Sequence, residues 1–517
     1  MADHSYYLYL GLALASLLLV LANKRRQRTP AALGHHGLRL PPGPWQLPVI
    51  GTLHHLAGQL PHRAMRDLAR RHGPVMLLRM GEFPTVVVSS REAAREVMKV
   101  HDAAFSSRPL NATVGAISNG GRDIIFAPYG EHWRQLRKVA ITELLSARRV
   151  LSFRRVREEE VAAMLRSVAA ASTSSAAVEM RARLSALVSD ASARVLLGDR
   201  CKDRDMFLRE LDRANELATG FNPADLWPSS WLARRLSTSV RRAEECREAV
   251  YRMLDGIIQE HLKKMDGGGV DEGQADDDDL ITVLLRIQRN GELKIPLEMD
   301  VLKAVIFDLF AGGSDTSATA LEWCMAELVR NPSAMERATA EVRRTFGAHG
   351  AVAEHELGDL RYLHLAIREA LRLHPPLPLL LPRECQEPRR VLGYDVPRSA
   401  TVLVNAWALG RDARCWPGGD PEEFRPERFE ENGGAGEVDF KGTDFELLPF
   451  GAGRRMCPGM MFGLANVELA LASLLFHFDW EVPGVAELDM TETFGVTVRR
   501  KAGLLLRPIV RVPVPGV

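Results

Sequence analysis

The sequence has almost no excess charge and few cysteines. Its 67 Lys and Arg residues nearly balance 66 Asp and Glu residues, which leaves a formal net charge of +1. Such a balance excludes the general basic field that non-specific nucleic-acid binding requires, so we expect no nucleic-acid partner. Six cysteines in 517 residues, with no CxxC pair, exclude a disulfide framework and argue against a zinc site.

Two further signatures are missing. No repeat of the kind that builds solenoids is visible. No GxGxxG motif follows a strand-like run, so we do not expect this chain to bind NADPH itself. With 46% apolar and 26% charged residues, the chain has the composition to bury a large core.

A long apolar run lies near the N-terminus. Residues 6–22 are almost wholly apolar, close to the ~20 residues that span a bilayer, and a basic cluster at residues 24–28 follows at once. The positive-inside rule then keeps the rest of the chain cytoplasmic. A cleaved signal peptide is the alternative, although its basic residues would precede the apolar run. We therefore expect residues 1–28 to be a single-pass membrane anchor with a basic stop-transfer segment.

Two stretches resist regular structure. Residues 29–44 form a linker ending in the hinge Pro41-Pro42-Gly43-Pro44, where proline makes a stiff, non-helical bend. Residues 266–279 are rich in Gly and Asp and are typical of a solvated surface loop; a metal-binding role there is the less favoured alternative. Residues 45–517, which follow the linker and include the surface loop, are expected to form one catalytic domain.

Apolar residues recur at three- and four-residue spacing through much of the chain, which indicates helices. The helical segments are residues 140–197, long enough for more than one helix, 203–218, 239–264, 300–331, 334–346 and 462–478. Strand-like runs are short and comprise residues 75–79, 85–89 and 401–405. The sequence therefore predicts a mainly α fold with a minor β region.

The strongest chemical signal is the segment FGAGRRMCPG at residues 450–459. Cys457 lies in a glycine-rich loop directly before a predicted helix, where amide donors and the helix N-terminus favour a thiolate. Glycines let a flat macrocycle lie against the backbone, Arg455 offers a partner for an anionic group, and Phe450 can pack beside the sulfur. A lone cysteine is usually a buried small hydrophobic residue, but that does not explain the whole pattern.

The series Phe450, Gly453, Arg455, Cys457 and Gly459 resembles the haem-thiolate loop of cytochrome P-450 enzymes. An N-terminal anchor, PPGP, WxxxR, a glycine-bearing helix, ExxR and PERF precede it in the family's order. The resemblance implies a cytochrome P-450 fold, a single large haem-binding body behind an N-terminal transmembrane helix. It also implies haem b (iron-protoporphyrin IX) as cofactor and Cys457 as the axial iron ligand. The chain is most similar to plant microsomal members of specialised metabolism.

A second signal is the segment AGGSDTS within residues 300–331. Gly312 and Gly313 each weaken a helix interior by roughly 1 kcal/mol relative to Ala, a cost that room for dioxygen would explain. A close helix crossing is the alternative reason for small residues. Thr316 can bond back to a carbonyl one turn earlier. The resemblance implies that Asp315 and Thr316 are the catalytic acid–alcohol pair that delivers protons.

The remaining motifs concern the cofactor and its support. By resemblance, Trp133, Arg137 and Arg383 join Arg455 in binding the haem propionates, and Phe450 and Gly459 complete the cofactor site. Glu369 and Arg372 are three residues apart and can form an ion pair on one helical face. The resemblance adds Arg428 and gives the three a structural role in holding the loop that leads to Cys457.

Substrate contacts are also implied only by the resemblance. They comprise Ile124, Ile125, Phe126, Phe310, Ala311, Gly313, Leu377, Leu379, Leu380, Val496 and Thr497. A pocket lined by such residues favours a small apolar molecule, such as a terpenoid or another plant secondary metabolite. Taken one at a time, these apolar residues are equally compatible with an ordinary core.

Together, these features predict a haem-thiolate monooxygenase. It would insert one oxygen atom from O2 into an apolar substrate, with electrons from NADPH–cytochrome P-450 reductase, at the endoplasmic reticulum membrane. Arg134 and Lys138 are candidates for the basic face that receives the reductase. Two alternatives stay open: a haem-thiolate isomerase or dehydratase needing no O2, against which Asp315 and Thr316 argue, and a non-catalytic membrane-tethered haem-binding sensor.

Overall fold

The computed structural model describes residues 38–172, 177–199, 204–267, 278–291, 293–430, 433–484, 487–493 and 495–516. The predicted anchor at residues 1–28 lies outside the described residues. So do residues 29–37 of the predicted linker and most of the predicted surface loop at residues 266–279.

Helices make up most of the described chain. In chain order they are α1 Pro61–His72, α2 Arg91–Arg95, α3 Ala112–Ile117, α4 Glu131–Val139, α5 Ala147–Ser152, α6 Arg154–Ser172, α7 Met180–Leu197, α8 Arg204–Leu217, α9 Pro223–Leu226, α10 Trp231–Leu236, α11 Ser239–Asp266, α12 Leu280–Asn290, α13 Met299–Arg330, α14 Pro332–Phe346, α15 Arg361–Leu373, α16 Ala406–Leu409 and α17 Met460–His477. Short 3-10 or π turns occur at Leu53–His55, Glu96–Val100, Asp102–Phe105, Ala140–Leu144, Glu354–Asp359, Pro426–Phe429 and Gly453–Arg455.

The strands are short and form small sheets. They are β1 Val75–Met80, β2 Phe83–Val88, β3 Val178–Glu179, β4 Arg383–Glu384, β5 Arg389–Val391, β6 Tyr394–Val396, β7 Thr401–Val404, β8 Phe478–Glu481 and β9 Leu505–Val510. One sheet has the order β1-β2-β7-β4, in which only β2 and β7 run parallel. A second has the antiparallel order β3-β9-β8, and β5 and β6 form a hairpin.

The mainly α prediction with a minor β region is confirmed. The segment predicted at residues 140–197 contains a π turn and three helices, α5, α6 and α7. The last predicted helix ends at His477, because the chain then enters β8 and pairs with β9. The predicted helical segments do not include α1, α2, α3, α4, α9, α10, α12, α15 or α16.

The centre of the molecule is α13, which packs against α7 and α17. Leu302, Val305 and Leu321 on this helix are almost fully buried. A helix that is apolar on nearly every side belongs in the core, because each face must be covered by a neighbour. A Cβ at Gly463 of α17 would lie 3.3 Å from Ser317 Oγ of α13, so a glycine allows the two helices to approach closely.

The proline hinge lies directly against the first sheet. Leu77 of β1 donates its N–H to Pro42 O at 2.8 Å. A Cβ at Gly43 would come 2.0 Å from Leu77 O, which excludes any side chain there. The hinge is therefore fixed to the domain by β1.

Among the described residues, one helix is long and apolar enough to cross a membrane, namely α17. Two thirds of it, 67%, is buried inside the protein. Its hydrophobicity is therefore explained by its place in the core next to α13.

Candidate active site

A cavity of about 260 Å³ lies between α13 and the loop that precedes α17. Both segments that carry the strongest sequence signals contribute to its wall. Of the predicted site residues, the cavity brings together Ile124, Ile125, Trp133, Arg137, Gly313, Thr316, Leu377, Leu380, Arg383, Phe450, Arg455, Cys457 and Gly459.

Other predicted site residues lie outside this wall. Phe310 packs edge-on against Phe207, with ring centroids 4.4 Å apart, and Leu379 packs against a separate apolar cluster beside α1 and β1. Thr497 donates a hydrogen bond to the carboxyl of Asp315. The predicted residues that do not line the cavity are Phe126, Phe310, Ala311, Asp315, Leu379, Val496 and Thr497.

Backbone contacts fix the loop around Cys457. Cys457 donates its N–H to Phe450 O at 2.9 Å, and Arg137 donates from its guanidinium to Met456 O. Gly451 and Gly453 have φ angles of +68° and +69°, a region that residues with a Cβ adopt only with strain. The loop therefore turns sharply back on itself and presents the sulfur to the cavity.

The Cys457 thiol faces the internal cavity, so its surface is accessible although protein surrounds the site. Burial raises the pKa of Cys457, while the Gly459 amide and the Arg137 guanidinium act in the opposite direction. These two groups therefore offset only part of the effect of desolvation on the pKa of Cys457. Binding to a metal cation would deprotonate the thiol directly.

Four arginines converge on the cavity wall: Arg108, Arg137, Arg383 and Arg455. Three of them were predicted, whereas Arg108 was missed. Arg108 donates to the carbonyls of Leu381 and Pro382, both at 2.8 Å. Burial and the neighbouring Arg383 lower the pKa of Arg455 to about 9. So many confined positive charges strongly favour an anionic ligand.

These residues fit haem b. Cys457 would supply a sulfur ligand for iron, and the arginines would supply partners for two propionate groups. A Cβ at Gly459 would lie 3.9 Å from Cys457 Sγ, so glycine keeps the surface beside the sulfur open. Trp133 donates its indole N–H to Ile124 O at 3.0 Å and stacks under Arg455, whose Cζ lies 4.2 Å from the ring centroid.

The opposite wall is formed by α13. Thr316 Oγ1 donates to Gly312 O at 2.6 Å, and both residues line the cavity. The helix continues unbroken through this turn. Gly312 is exposed, and a Cβ there would meet nothing within 4 Å. An alcohol and an open backbone surface thus face the side where a small ligand can sit.

Asp315 points away from this wall and is held by other segments. Its carboxylate forms an ion pair with Arg499 and accepts a hydrogen bond from Thr497. Asn215 Nδ2 of α8 lies 3.5 Å from Asp315 Oδ2, and Arg499 also reaches Asp212 Oδ1 at 3.4 Å. The acid is therefore adjacent to Thr316 in sequence but directed toward the C-terminal loop.

A buried acid pair, missed by sequence analysis, fixes the loop at residues 123–127. Asp308 of α13 accepts the amides of Ile124 and Ile125 at 2.8 and 2.9 Å. Asp123 accepts the amides of Phe126 and Ala127 at 2.7 and 3.0 Å. Burial raises the pKa of Asp123 to about 7 and that of Asp308 well above its usual range.

The carbonyls of the same loop bind Arg455. Its guanidinium donates to Ile124 O and Ile125 O, both at 3.3 Å, and to Ala127 O. The loop at residues 123–127 thus connects α13, which binds its amides, to the cysteine loop, which binds its carbonyls. Asp308 lies eight residues before Thr316 and on a similar side of α13. This spacing is the one sequence signal that could have identified Asp308.

The ExxR motif forms a fully buried network with Arg428. Arg372 grips Glu369 with two hydrogen bonds of 2.7 and 2.8 Å, and Arg428 Nε donates to Glu369 at 2.8 Å. Arg425 adds its main-chain N–H at 2.8 Å. Arg372 and Arg428 also bind carbonyls of the segment before the cysteine loop, including Glu423 O. The structure therefore brings the three predicted structural residues together.

A thiol-bearing loop that faces a glycine-containing helix across an arginine-lined cavity defines a haem-thiolate site. The cytochrome P-450 family model matches residues 41–507. The chain belongs to the cytochrome P-450 family, whose members bind haem b through a cysteine thiolate.

Curated plant enzymes resemble the chain over most of its length. Zealexin A1 synthase of Zea mays is 48% identical over 478 residues, 91% of this chain and 93% of the relative. Dolabradiene monooxygenase of Zea mays is 48% identical and covers 92% of this chain and 93% of the relative. 5-Epiaristolochene 1,3-dihydroxylase of Nicotiana tabacum is 44% identical, with 90% and 92% covered. The predicted plant cytochrome P-450 resemblance is confirmed, and the chain is an oxidoreductase of the monooxygenase class.

Solved structures show the same fold. A zebra fish cytochrome P-450 structure with abiraterone matches with a TM-score of 0.72 and 24% identity. The match covers 87% of this chain and 100% of that one. The predicted cytochrome P-450 fold of the haem-binding body is therefore confirmed.

Proposed function

We propose that this protein is a membrane-attached monooxygenase that hydroxylates a terpenoid or a similar apolar plant metabolite, with electrons from NADPH–cytochrome P-450 reductase. The main supporting observation is that one cavity is lined by Cys457 and several arginines on one side and by Thr316 on the other. Haem with a thiolate ligand supplies O–O bond cleavage and insertion of one oxygen atom into a C–H bond.

The proximal residues have binding roles in this proposal. Cys457 ligates the iron, and Arg137, Arg383 and Arg455 hold the propionates together with the Trp133 indole. Phe450 and Gly459 line the cavity on the sulfur side. Buried charge-assisted hydrogen bonds of this kind fix the orientation of the group they hold.

The distal residues control protons and water. Thr316 lines the cavity and donates its hydroxyl proton to Gly312 O, so the hydroxyl could reorient toward a ligand in the cavity. Asp315 supplies protons from the outer side of α13, through a path that opens when its contact with Arg499 is broken. This arrangement favours oxygen activation over the isomerase or dehydratase alternative, which needs no O2, and over a haem sensor, which needs no proton route.

The substrate class follows from the cavity wall and from the relatives. Ile124, Ile125, Leu309, Leu377 and Leu380 supply apolar surface, which suits a hydrocarbon-rich molecule. Several relatives are named for terpenoid oxidation, including an ent-cassadiene hydroxylase of rice that is 45% identical over 522 residues.

Membrane attachment is supported by an exposed apolar patch beside the N-terminal hinge. The patch comprises Trp45, Val49, Trp231, Leu232 and Leu236, of which Trp231 and Leu236 are 68% and 73% exposed. Trp227 binds Val49 O at 2.9 Å and so joins the two parts of the patch. Exposed tryptophan and leucine next to arginines, as in α10, are typical of a surface that enters a membrane interface.

The proposed anchor at residues 1–28 and the endoplasmic reticulum location have a direct test. An integral protein stays with microsomes after alkaline carbonate extraction, and its intact mass includes residues 1–28. Recovery of a shortened chain in the soluble fraction would support the signal-peptide alternative instead.

Electron delivery is proposed at the outer side of the cysteine loop. Arg134 and Lys138 are exposed and lie one turn apart on α4, whose inner side carries Trp133 and Arg137. Arg454 of the cysteine loop and Arg134 flank the Tyr129 ring, with Cζ atoms 5.7 and 5.8 Å from its centroid. This basic surface suits an acidic electron donor.

The test of the proposed reaction uses full-length protein with reductase in microsomes. We expect a library of apolar terpenoids incubated with NADPH and isotopically heavy O2 to yield a product that carries one heavy oxygen atom. Cys457→Ser should abolish product and the spectral signature of sulfur ligation in the reduced carbon-monoxide adduct. Product that forms without O2 or reductase would instead establish the isomerase alternative.

A further inference from the structure

The carboxylate of Asp102 joins three segments around the cysteine loop. Asp102 begins a 3-10 turn and is only 5% exposed. Its Oδ2 accepts the main-chain N–H and the guanidinium of Arg454, both at 2.9 Å. Its Oδ1 accepts Arg383 Nη1 at 3.3 Å and Ser106 Oγ at 3.1 Å. One carboxylate therefore binds the cysteine loop, β4 and its own turn together.

The cysteine loop lies unusually close to this turn. A Cβ at Gly453 would come 2.2 Å from Met98 O and 2.8 Å from Asp102 Oδ1. Arg455 Nε also donates to Ser106 O at 2.7 Å. The first half of the cysteine loop thus rests on residues 98–106, and Asp102 is the charged contact between them.

Asp102 also makes direct contact with one of the four arginines that line the cavity. Within the described part of the chain, it is the one carboxylate with an oxygen within 4.0 Å of a guanidinium among Arg108, Arg137, Arg383 and Arg455. It therefore balances part of the positive charge that faces the cofactor. A negative charge near a redox group opposes the addition of an electron, because the interaction is Coulombic.

We propose that Asp102 is a positioning residue for the Cys457 loop and that its charge, acting through Arg383, lowers the electron affinity of the bound haem. The inference rests on haem binding at Cys457, but not on the substrate or on the membrane location. The two effects are separable, because an amide keeps one oxygen as the acceptor for Arg454, while it removes the negative charge and the acceptor for Arg383.

The experiment compares Asp102→Asn, Asp102→Ala and wild-type full-length protein. Two readouts are used: the fraction of haem reduced at fixed solution potentials, and the rate of haem transfer to apomyoglobin. For Asp102→Asn we expect retained haem and a reduced-to-oxidised ratio about threefold or more above wild type. For Asp102→Ala we expect haem transfer about tenfold faster, because the loop loses its acceptor.

One further variant serves as a control and another as an independent test. Glu92→Gln removes an acid from α2 whose partner is the exposed Arg91, so the reduced fraction should not change. Arg454→Gln removes one donor from a side chain that is 46% exposed, and it should speed haem transfer even if the Asp102 variants fail to fold.

An unchanged reduced fraction in haem-loaded Asp102→Asn would overturn the electrostatic role. Wild-type haem transfer in Arg454→Gln would overturn the positioning role. If instead the protein binds no haem in any form, the proposed function itself fails, which is a distinguishable result.

Discussion

Two arginine–carboxylate groups in this protein use the same chemistry in opposite ways. Glu369 is fully buried and accepts hydrogen bonds from Arg372, Arg428 and the Arg425 amide. Asp315 is paired with Arg499, whose side chain is 29% exposed and also reaches the surface residue Asp212. The Glu369 group is buried with all of its partners, whereas the Asp315 group includes Arg499, a side chain that can move into solvent. We infer that the exposure of the arginine partner separates a permanent support from a contact that can open.

The largest effect is expected from breaking the Glu369 group. Glu369→Ala leaves two buried guanidinium groups without their carboxylate, and such loss costs about 3–5 kcal/mol. We expect little protein with bound haem, measured by haem content and by denaturant unfolding. Glu159→Ala, which removes a half-exposed partner of Arg155 and Arg194, is the matched control and should retain haem. Normal haem content in Glu369→Ala would show that the network is dispensable.

The next largest effect concerns the alcohol on the cavity side. Thr316→Ala should keep haem and substrate binding while product per NADPH falls about tenfold or more, because the hydroxyl that passes protons to the cavity is lost. Reduced oxygen would then leave as hydrogen peroxide, which can be measured directly. Thr316→Ser retains the hydroxyl and should recover most of the coupling. Tight coupling in Thr316→Ala would remove Thr316 from the proton route.

A smaller effect is expected from the Asp315 group. Arg499→Gln frees Asp315 from its ion pair but leaves Thr497 and Asn215 as partners. We expect normal haem content and a change of about two- to fivefold in product per NADPH, because only the supply of protons is altered. Lys501→Gln, an exposed change in the same loop, should have no such effect. Loss of haem in Arg499→Gln would place Arg499 with the permanent supports.

The smallest effect is expected at the surface. Replacing both Arg134 and Lys138 by Gln should raise the reductase concentration needed for half-maximal rate about three- to tenfold at low salt, since exposed charges act mainly on encounter. The difference from wild type should shrink as ionic strength rises. A defect that persists at high salt, or that appears with a chemical reductant, would point to damage inside the domain.

Sequence predicts the two walls of the site better than it predicts what holds them. The cysteine loop and the glycine-bearing turn of α13 are short contiguous patterns, so their residues could be identified directly. Asp102 and Arg454 are 352 residues apart, and Asp315 and Arg499 are 184 residues apart. No local periodicity reports such pairs. Phe310 shows a further limit of sequence prediction. The helix that carries it was assigned correctly, but the pattern did not reveal that its ring packs against Phe207 and not in the cavity wall.

The loop at residues 123–127 limits which changes a redesign of this enzyme can make. Its main-chain amides donate to Asp123 and Asp308, and its carbonyls accept from Arg455. The main chain of the loop is therefore held on both sides and has little freedom to move. The side chains of Ile124 and Ile125 can be varied to reshape the chamber, since neither bears those bonds. Insertions or a proline at either position would disturb both walls at once. Libraries that diversify side chains here should therefore outperform those that change loop length.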